Sequence, residues 1–123
     1  DILKMYKLKT SALFSFCCSS AFIVGGKNKK EIKFAEEFGS IFGLMFQIID
    51  DILDETKDFK FLGKTPGKDK KQGKSTLISI MGKEVATKFC LHQIKQFKYK
   101  NKKYFKQYKI LNEVLSMNLI NYK

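Results

Sequence analysis

The chain has 123 residues, 44% of them hydrophobic and twelve of them phenylalanine, with one proline, no tryptophan and a formal net charge of +12. That is one domain's worth of residues with enough apolar mass for a packed core, which excludes a disordered polymer. All 24 basic residues are lysine, whereas proteins that read bases or grip phosphates specifically rely on arginine's planar fork, so the charge argues for a solvated basic surface and nonspecific polyanion contact.

Apolar residues recurring at three and four predict helices throughout, an all-α chain. A first helix is predicted over Ile2 to about Val24, with Leu3, Tyr6, Leu13, Phe16 and Ala21 among its apolar positions, stopped by Gly25-Gly26. Cys17 and Cys18 fall on different faces of it and are expected to pack as small apolar side chains; with Cys90 they form neither a disulfide framework nor a metal spacing. Reduced thiols fit a cytoplasmic protein. Asn28 is the expected N-cap of a long helix from about Lys29 to Glu55. Its interior Gly39 and Gly43 each cost roughly 1 kcal/mol of helix propensity against alanine, so a closely approaching helix or ligand is expected beside them.

From Thr56 to Gly73 the periodicity fails, with glycines at 63, 67 and 73, the only proline at 66, and a run of lysines. This reads as a loop of the kind that forms a lid or binding segment. Ser75 then caps a short run, Leu77 to Met81, ended by Gly82. Two further helices are predicted, from Lys83 to about Lys98 and from about Lys102 to Ile120, the latter with Phe105, Ile110, Leu111, Leu115 and Leu119 at mixed spacings. Lys95, Lys98, Lys100, Lys102, Lys103, Lys106 and Lys109 alternate there with Phe97, Tyr99, Tyr104, Phe105 and Tyr108; this is the best polyanion patch and is read as a solvated helical face. His92 has no nearby ligand set and is read as structural. No apolar run is expected to span a membrane, because Gln47 and Asp50 interrupt the best candidate.

The chemistry concentrates in Phe46-Gln47-Ile48-Ile49-Asp50-Asp51-Ile52-Leu53-Asp54. On a helix Gln47, Asp50, Asp51 and Asp54 fall within roughly 100° of one another, opposite Phe38, Phe42, Met45, Ile49, Ile52 and Leu53. Like charges at that spacing repel by about 0.2–0.5 kcal/mol per pair. Mg²⁺ is a fitting neutraliser, since it takes one or two carboxylates and completes its shell with water and phosphate oxygens. Gly43, Ser40 and Glu36 continue the same face with little side-chain volume, leaving room for a ligand or for a neighbouring helix. A solvated acidic face is the plain alternative.

The motif does not stand alone. Lys9-Thr10 precedes it, and Leu62-Gly63-Lys64, Gly67-Lys68-Asp69 and Gly73-Lys74-Ser75-Thr76 follow it. In this order the motifs resemble those of the polyprenyl diphosphate synthases, the family that includes farnesyl diphosphate synthase, over nearly the whole chain. The resemblance implies an isoprenoid-synthase-type helical bundle of which these residues are the C-terminal portion of a single domain. The first aspartate-rich motif and the groups that hold isopentenyl diphosphate would lie upstream of Asp1, and the isolated chain is expected to turn over little. It further implies a Mg²⁺-dependent trans-prenyltransferase joining isopentenyl diphosphate to an allylic diphosphate, most similar to farnesyl diphosphate synthase and commonly homodimeric.

By that resemblance Lys9 and Lys64 contact the allylic diphosphate, Thr10 and Gln47 face the reacting allyl carbon, and Asp50 ligates Mg²⁺ directly. Asp51 and Asp54 act on the metal directly or through water, Lys74 pairs with the acidic cluster, and Asp69 holds the loop. Ser11 stands where the family commonly has glycine, and is expected to tighten the pocket slightly. The rivals are a geranylgeranyl or longer-chain synthase and, in a different class, a noncatalytic basic helical subunit. A nucleotide phosphate loop is excluded, because Gly63-Lys64 and Gly73-Lys74-Ser75 lack the Walker spacing and no strand precedes them.

Overall fold

The computed structural model describes residues 2–56 and 77–120, and these are helices and short turns with no strand among them. Residues 57–76, which hold all but the first residue of the segment read as a loop, with Lys64 and Asp69, and beyond it Lys74 and the expected cap Ser75, lie outside the described residues. In chain order the elements are α1 (Ile2–Tyr6), a π-helical turn (Lys7–Ser11), α2 (Ala12–Val24), α3 (Lys29–Thr56), α4 (Leu77–Met81), α5 (Lys83–Lys100), α6 (Lys102–Gln107) and α7 (Lys109–Ile120).

The long helix α3 organises the rest. It starts where its cap predicts: the Glu31 N–H donates to Asn28 Oδ1 at 2.9 Å, and the Asn28 N–H donates back to Glu31 Oε1 at 3.3 Å, a reciprocal capping box that satisfies two otherwise orphaned donors. Gly25 caps α2, and Gly26 turns the chain at a φ of +71, a left-handed value that suits glycine. Along its length α3 packs on α2, and it also meets α4, α5 and α7. It supplies buried Phe34, Phe38, Leu44, Met45, Ile48 and Ile52, while α5 answers with Ala86, Cys90, Ile94 and Phe97 at the three-and-four spacing of one helical stripe. Burial pushes the Cys90 thiol up to about 12, so it packs as an inert apolar group.

The described structure departs from the sequence-based expectation in five places. First, the opening helix is one continuous rod only because a wide π turn joins α1 to α2, and that turn carries Lys9 and Thr10. Second, the last helix is two: it breaks at Tyr108, whose φ of −109 and ψ of 72 leave the helical region. The break turns the Tyr108 ring onto Phe22, at 5.3 Å between centroids, and lets its hydroxyl donate to the Glu31 carboxylate. That hydrogen bond holds the Glu31 carboxyl below its ordinary range and the Tyr108 phenol above its own.

Third, α2 meets α3 through Phe14, Ser15 and the Cys18–Phe22 side, so Leu13, Phe16 and Ala21, expected as apolar packing positions, are exposed. Cys17 is exposed with them, contrary to its expected packing, whereas Cys18 is half-buried. Fourth, the π turn makes Lys4–Val24 a helix of 21 residues whose most apolar 18-residue stretch has a mean hydropathy of 1.2 and is 12% buried within the molecule. By length and composition it is long and apolar enough to cross a membrane, which corrects the expectation that no run qualifies, an expectation that weighs only the interrupted centre of α3. Fifth, α5 runs on to Lys100 and α3 to Thr56, differences of the size at which helix ends fray.

The lysine–aromatic alternation of α5 and α6 resolves into core and surface. Phe97 and Phe105 are buried, Tyr104 and Tyr108 are half-buried, and exposed Tyr99 lies under the Lys102 ammonium at 4.2 Å. Lys98, whose partial burial lowers its pKa, donates to Ser116 Oγ at 2.5 Å and ties α5 to α7. Phe97 and Phe105 therefore serve the core, with Tyr104 and Tyr108 packed against it, and Tyr99 stands on the surface. His92 is exposed on α5, and no cluster of three or more metal-ligating side chains of the His, Cys, Asp or Glu type occurs among the described residues.

Candidate functional site

Four side chains close a ladder between the first rod and α3. Thr10 Oγ1 donates to Gln47 Oε1 at 2.9 Å, Gln47 Nε2 donates to Asp51 Oδ1 at 3.1 Å, and the Tyr6 hydroxyl donates to Asp51 Oδ2. Tyr6 and Thr10 are four apart across the π turn, and Gln47 and Asp51 are four apart on α3, so each helix presents two polar groups one turn apart to the other. Tyr6, Gln47 and Asp51 are 2%, 8% and 6% exposed; at that burial each polar atom needs its partner.

This geometry divides the acidic motif. The helical wheel puts Gln47 and all three aspartates on one acidic face, but among them only Asp50 is exposed; Asp54 is half-buried and Asp51 is inside. The reason is the ladder: both Asp51 oxygens accept hydrogen bonds, so its charge is compensated from within the protein. The solvent-facing line of α3 is instead Phe46 and Asp50, one turn apart, with Asp54 a turn further on. Lys9 is exposed on the π turn beside Thr10.

The small residues upstream of the motif serve the fold. A Cβ on Gly43 would meet Ser11 Cα at 2.7 Å, and one on Gly39 would meet Ser15 Cα at 2.7 Å and the Phe14 carbonyl oxygen closer still. The volume left open at these two positions is filled by the backbone of the π turn and α2, not by a ligand. Ser11 is buried in that contact, and its hydroxyl has no hydrogen-bond partner there, so its side chain tightens a helix–helix seam rather than a pocket.

For a metal, the candidate donors are the carboxylates of Asp50 and Asp54, hard oxygen ligands one helical turn apart. Mg²⁺ takes one or two carboxylates and the rest of its octahedron from water and phosphate, so hard oxygens of this kind suit it; no group of three or more His, Cys, Asp or Glu placed to hold a metal occurs among the described residues. The division also predicts unequal mutants. Asp51→Asn offers one acceptor oxygen where two donors converge, and is expected to lower the unfolding free energy by about 1–2 kcal/mol. Asp50→Asn is expected to stay within about 0.5 kcal/mol of the parent. Urea denaturation of both variants reads the difference, and equal losses would contradict the placement of Asp51.

Tyr6 is the member of the ladder that periodicity misses, since it counts the residue only as an apolar position. Its placement four residues before Thr10, on the same side of a helix, is the signal that could have found it.

The sequence matches the polyprenyl synthetase family over residues 1–115. It is 34% identical over 89 residues to geranylgeranyl pyrophosphate synthase 4 of Arabidopsis thaliana, a match that covers 72% of this chain and 24% of the plant protein. The chain thus spans about a quarter of the length of that curated relative. With a family match that runs from the first residue through α7 as far as Leu115, the chain belongs to the polyprenyl synthetase family.

Proposed function

We propose that this chain contributes one half of the active site of a trans-prenyltransferase, which joins isopentenyl diphosphate to an allylic diphosphate. The observation that carries the reading is the Thr10–Gln47 hydrogen bond, 2.9 Å across 37 residues of chain, one turn of α3 from the Asp50–Asp51 pair. It sets a hydroxyl and an amide carbonyl together near the Asp50 and Asp54 carboxylates, the pairing expected where positive charge develops next to a leaving anion.

In this reading Asp50 and Asp54 hold Mg²⁺, and Lys9 faces the diphosphate as a mobile point charge. Lys64, outside the described residues, is assigned the same task, and Lys74, also outside them, is assigned to pair with the acidic cluster. When bound, the metal supplies Lewis acidity and a template for the diphosphate oxygens. Asp51 does not join that set; it orients Gln47. Thr10 and the Gln47 carbonyl turn oxygen lone pairs toward the site and favour a cation there. The farnesyl product expected from the sequence stands beside a geranylgeranyl product, which the name of the plant relative supports equally. A homodimer is proposed on the family resemblance alone.

The test uses thermal melting of the full chain. Mg²⁺ with inorganic diphosphate, but neither alone, is expected to raise the melting temperature, by an amount equivalent to about 2.7 kcal/mol at a hundredfold excess over Kd. Asp50→Ala is expected to remove the shift while leaving the ligand-free melting temperature nearly unchanged. Equal stabilisation by any polyanion without Mg²⁺ would favour the other reading that the +12 charge supports, a basic helical subunit without catalysis.

A further inference from the structure

Gln47 has a symmetric outline but an asymmetric charge, and something must decide which end of its amide meets Thr10. An amide offers a carbonyl oxygen with two lone pairs at one end and two N–H donors at the other. In the structure the oxygen takes the Thr10 hydroxyl and the nitrogen faces Asp51. Thr10 alone does not decide this, since a hydroxyl accepts as readily as it donates. Asp51 does decide it, because an ionised carboxylate only accepts. Asp51 in turn is held by Tyr6, buried at the end of α1, whose hydroxyl donates to the other carboxylate oxygen.

We infer that Tyr6 is a positioning residue: through Asp51 it locks the Gln47 amide with its carbonyl end toward the site. The inference rests on the proposed prenyltransferase reading and adds to it the residue that holds in place the carboxylate by which the sign of the dipole offered to a developing cation is set. Thr10 uses one lone pair of the Gln47 oxygen, and the other remains for the ligand. A flipped amide would present N–H hydrogens in the same place and repel positive charge. The π turn takes part as well, since it holds Tyr6 and Thr10 to the same side of the rod, each against its partner on α3. Outer partners of this kind typically change binding or activity by about 10–100-fold when removed.

Tyr6→Phe keeps the ring and deletes the donor. In the full chain the side-chain amide resonances of Gln47, read by ¹⁵N-resolved NMR without ligand, are expected to move toward free-amide positions and to exchange faster with water. The Mg²⁺-plus-diphosphate melting shift is expected to persist, since Asp50 and Asp54 are untouched. The affinity for an aliphatic tertiary ammonium ion, added with Mg²⁺ and diphosphate as a mimic of the cation, is expected to fall about tenfold. Unchanged Gln47 resonances, or ammonium affinity equal to that of the parent, would overturn the inference. Absence of any Mg²⁺-plus-diphosphate shift in the parent chain would instead sink the prenyltransferase reading, and the Gln47 resonances would still decide the role of Tyr6. Should Tyr6→Phe not fold, Asp51→Asn gives the same readout from the other end of the link: Gln47 resonances that stay in place there would also count against it.

Discussion

Phe34→Ala is expected to lower the unfolding free energy by roughly 3–5 kcal/mol. Phe34 is 2% exposed and sits where α3 meets α5 and α6. Its ring stacks on Phe97 at 5.7 Å and on Tyr104 at 4.8 Å, and meets Phe105 edge-on at 5.4 Å. Phe38 and Tyr108 complete the cluster at 6.2 and 6.4 Å. Removal of the ring takes away its own transfer energy and leaves a void whose lining is itself aromatic, planar and fixed by other contacts, so the void closes poorly. Each lost ring pair adds about 0.5–1.5 kcal/mol beyond area burial. Against a total stability of about 5–15 kcal/mol for a domain, the variant is expected to unfold at far lower urea. A loss below about 1 kcal/mol would show that α5 and α6 are not seated on α3 as described.

Phe34 precedes Gln47 by thirteen residues on one helix, or about 20 Å of rise, so this variant probes the scaffold and not the site. The fraction that stays folded should keep its Mg²⁺-plus-diphosphate shift. The opposite pattern is expected for Asp50→Ala, with the fold intact and the shift gone. The separation follows from the way α3 is used: its N-terminal half is clamped by aromatic rings, and its C-terminal half carries the polar ladder on one side and Asp50 on another.

Much of the fold is legible in local chemistry. Asn28 with Glu31 three residues on is a cap that needs no tertiary context, and Gly25-Gly26 ends a helix by backbone freedom alone. That the aspartate motif and the Lys9–Thr10 pair share one site is what the family resemblance implies, and Thr10 does meet Gln47 in the folded chain. Orientation is harder to read. Periodicity places the three aspartates together, yet one wheel position separates exposed Asp50 from buried Asp51, and the difference is made by Tyr6, a residue 45 positions away. The π turn has no composition signature, because it comes from packing: one extra residue in the turn lets the backbone at Ser11 lie against Gly43. Tyr108 likewise breaks its helix for the sake of partners on α2 and α3 that a helical wheel does not contain.

Gly39→Ala is the second large effect, and its sign opposes local propensity. Alanine in a helix interior is better than glycine by roughly 1 kcal/mol, so an isolated α3 would gain. In the folded chain the new Cβ would lie 2.7 Å from both the Phe14 carbonyl carbon and Ser15 Cα, and nearer still to the Phe14 carbonyl oxygen. All three are main-chain atoms that cannot turn aside, and van der Waals contact needs about 3.5 Å or more, so α2 would have to move off by about 1 Å. Overpacking of this kind costs typically about 1–3 kcal/mol and occasionally more. With rigid backbone on both sides the upper end applies, leaving a net loss of about 2 kcal/mol after the propensity gain. Gly43→Ala strikes closer to the chemistry. Its Cβ would meet Ser11 Cα at 2.7 Å and Ser11 N at 3.1 Å, next to the residue whose hydroxyl reaches Gln47 at 2.9 Å. A shift of the π turn by even half the required distance takes that bond to the edge of hydrogen-bonding range, so this variant is expected to lose stability and to disturb the Gln47 amide together. Urea denaturation of Gly39→Ala and Gly43→Ala checks both. If either variant gains the propensity increment instead, the two helices are not in backbone contact, and the ladder that depends on their closeness does not hold.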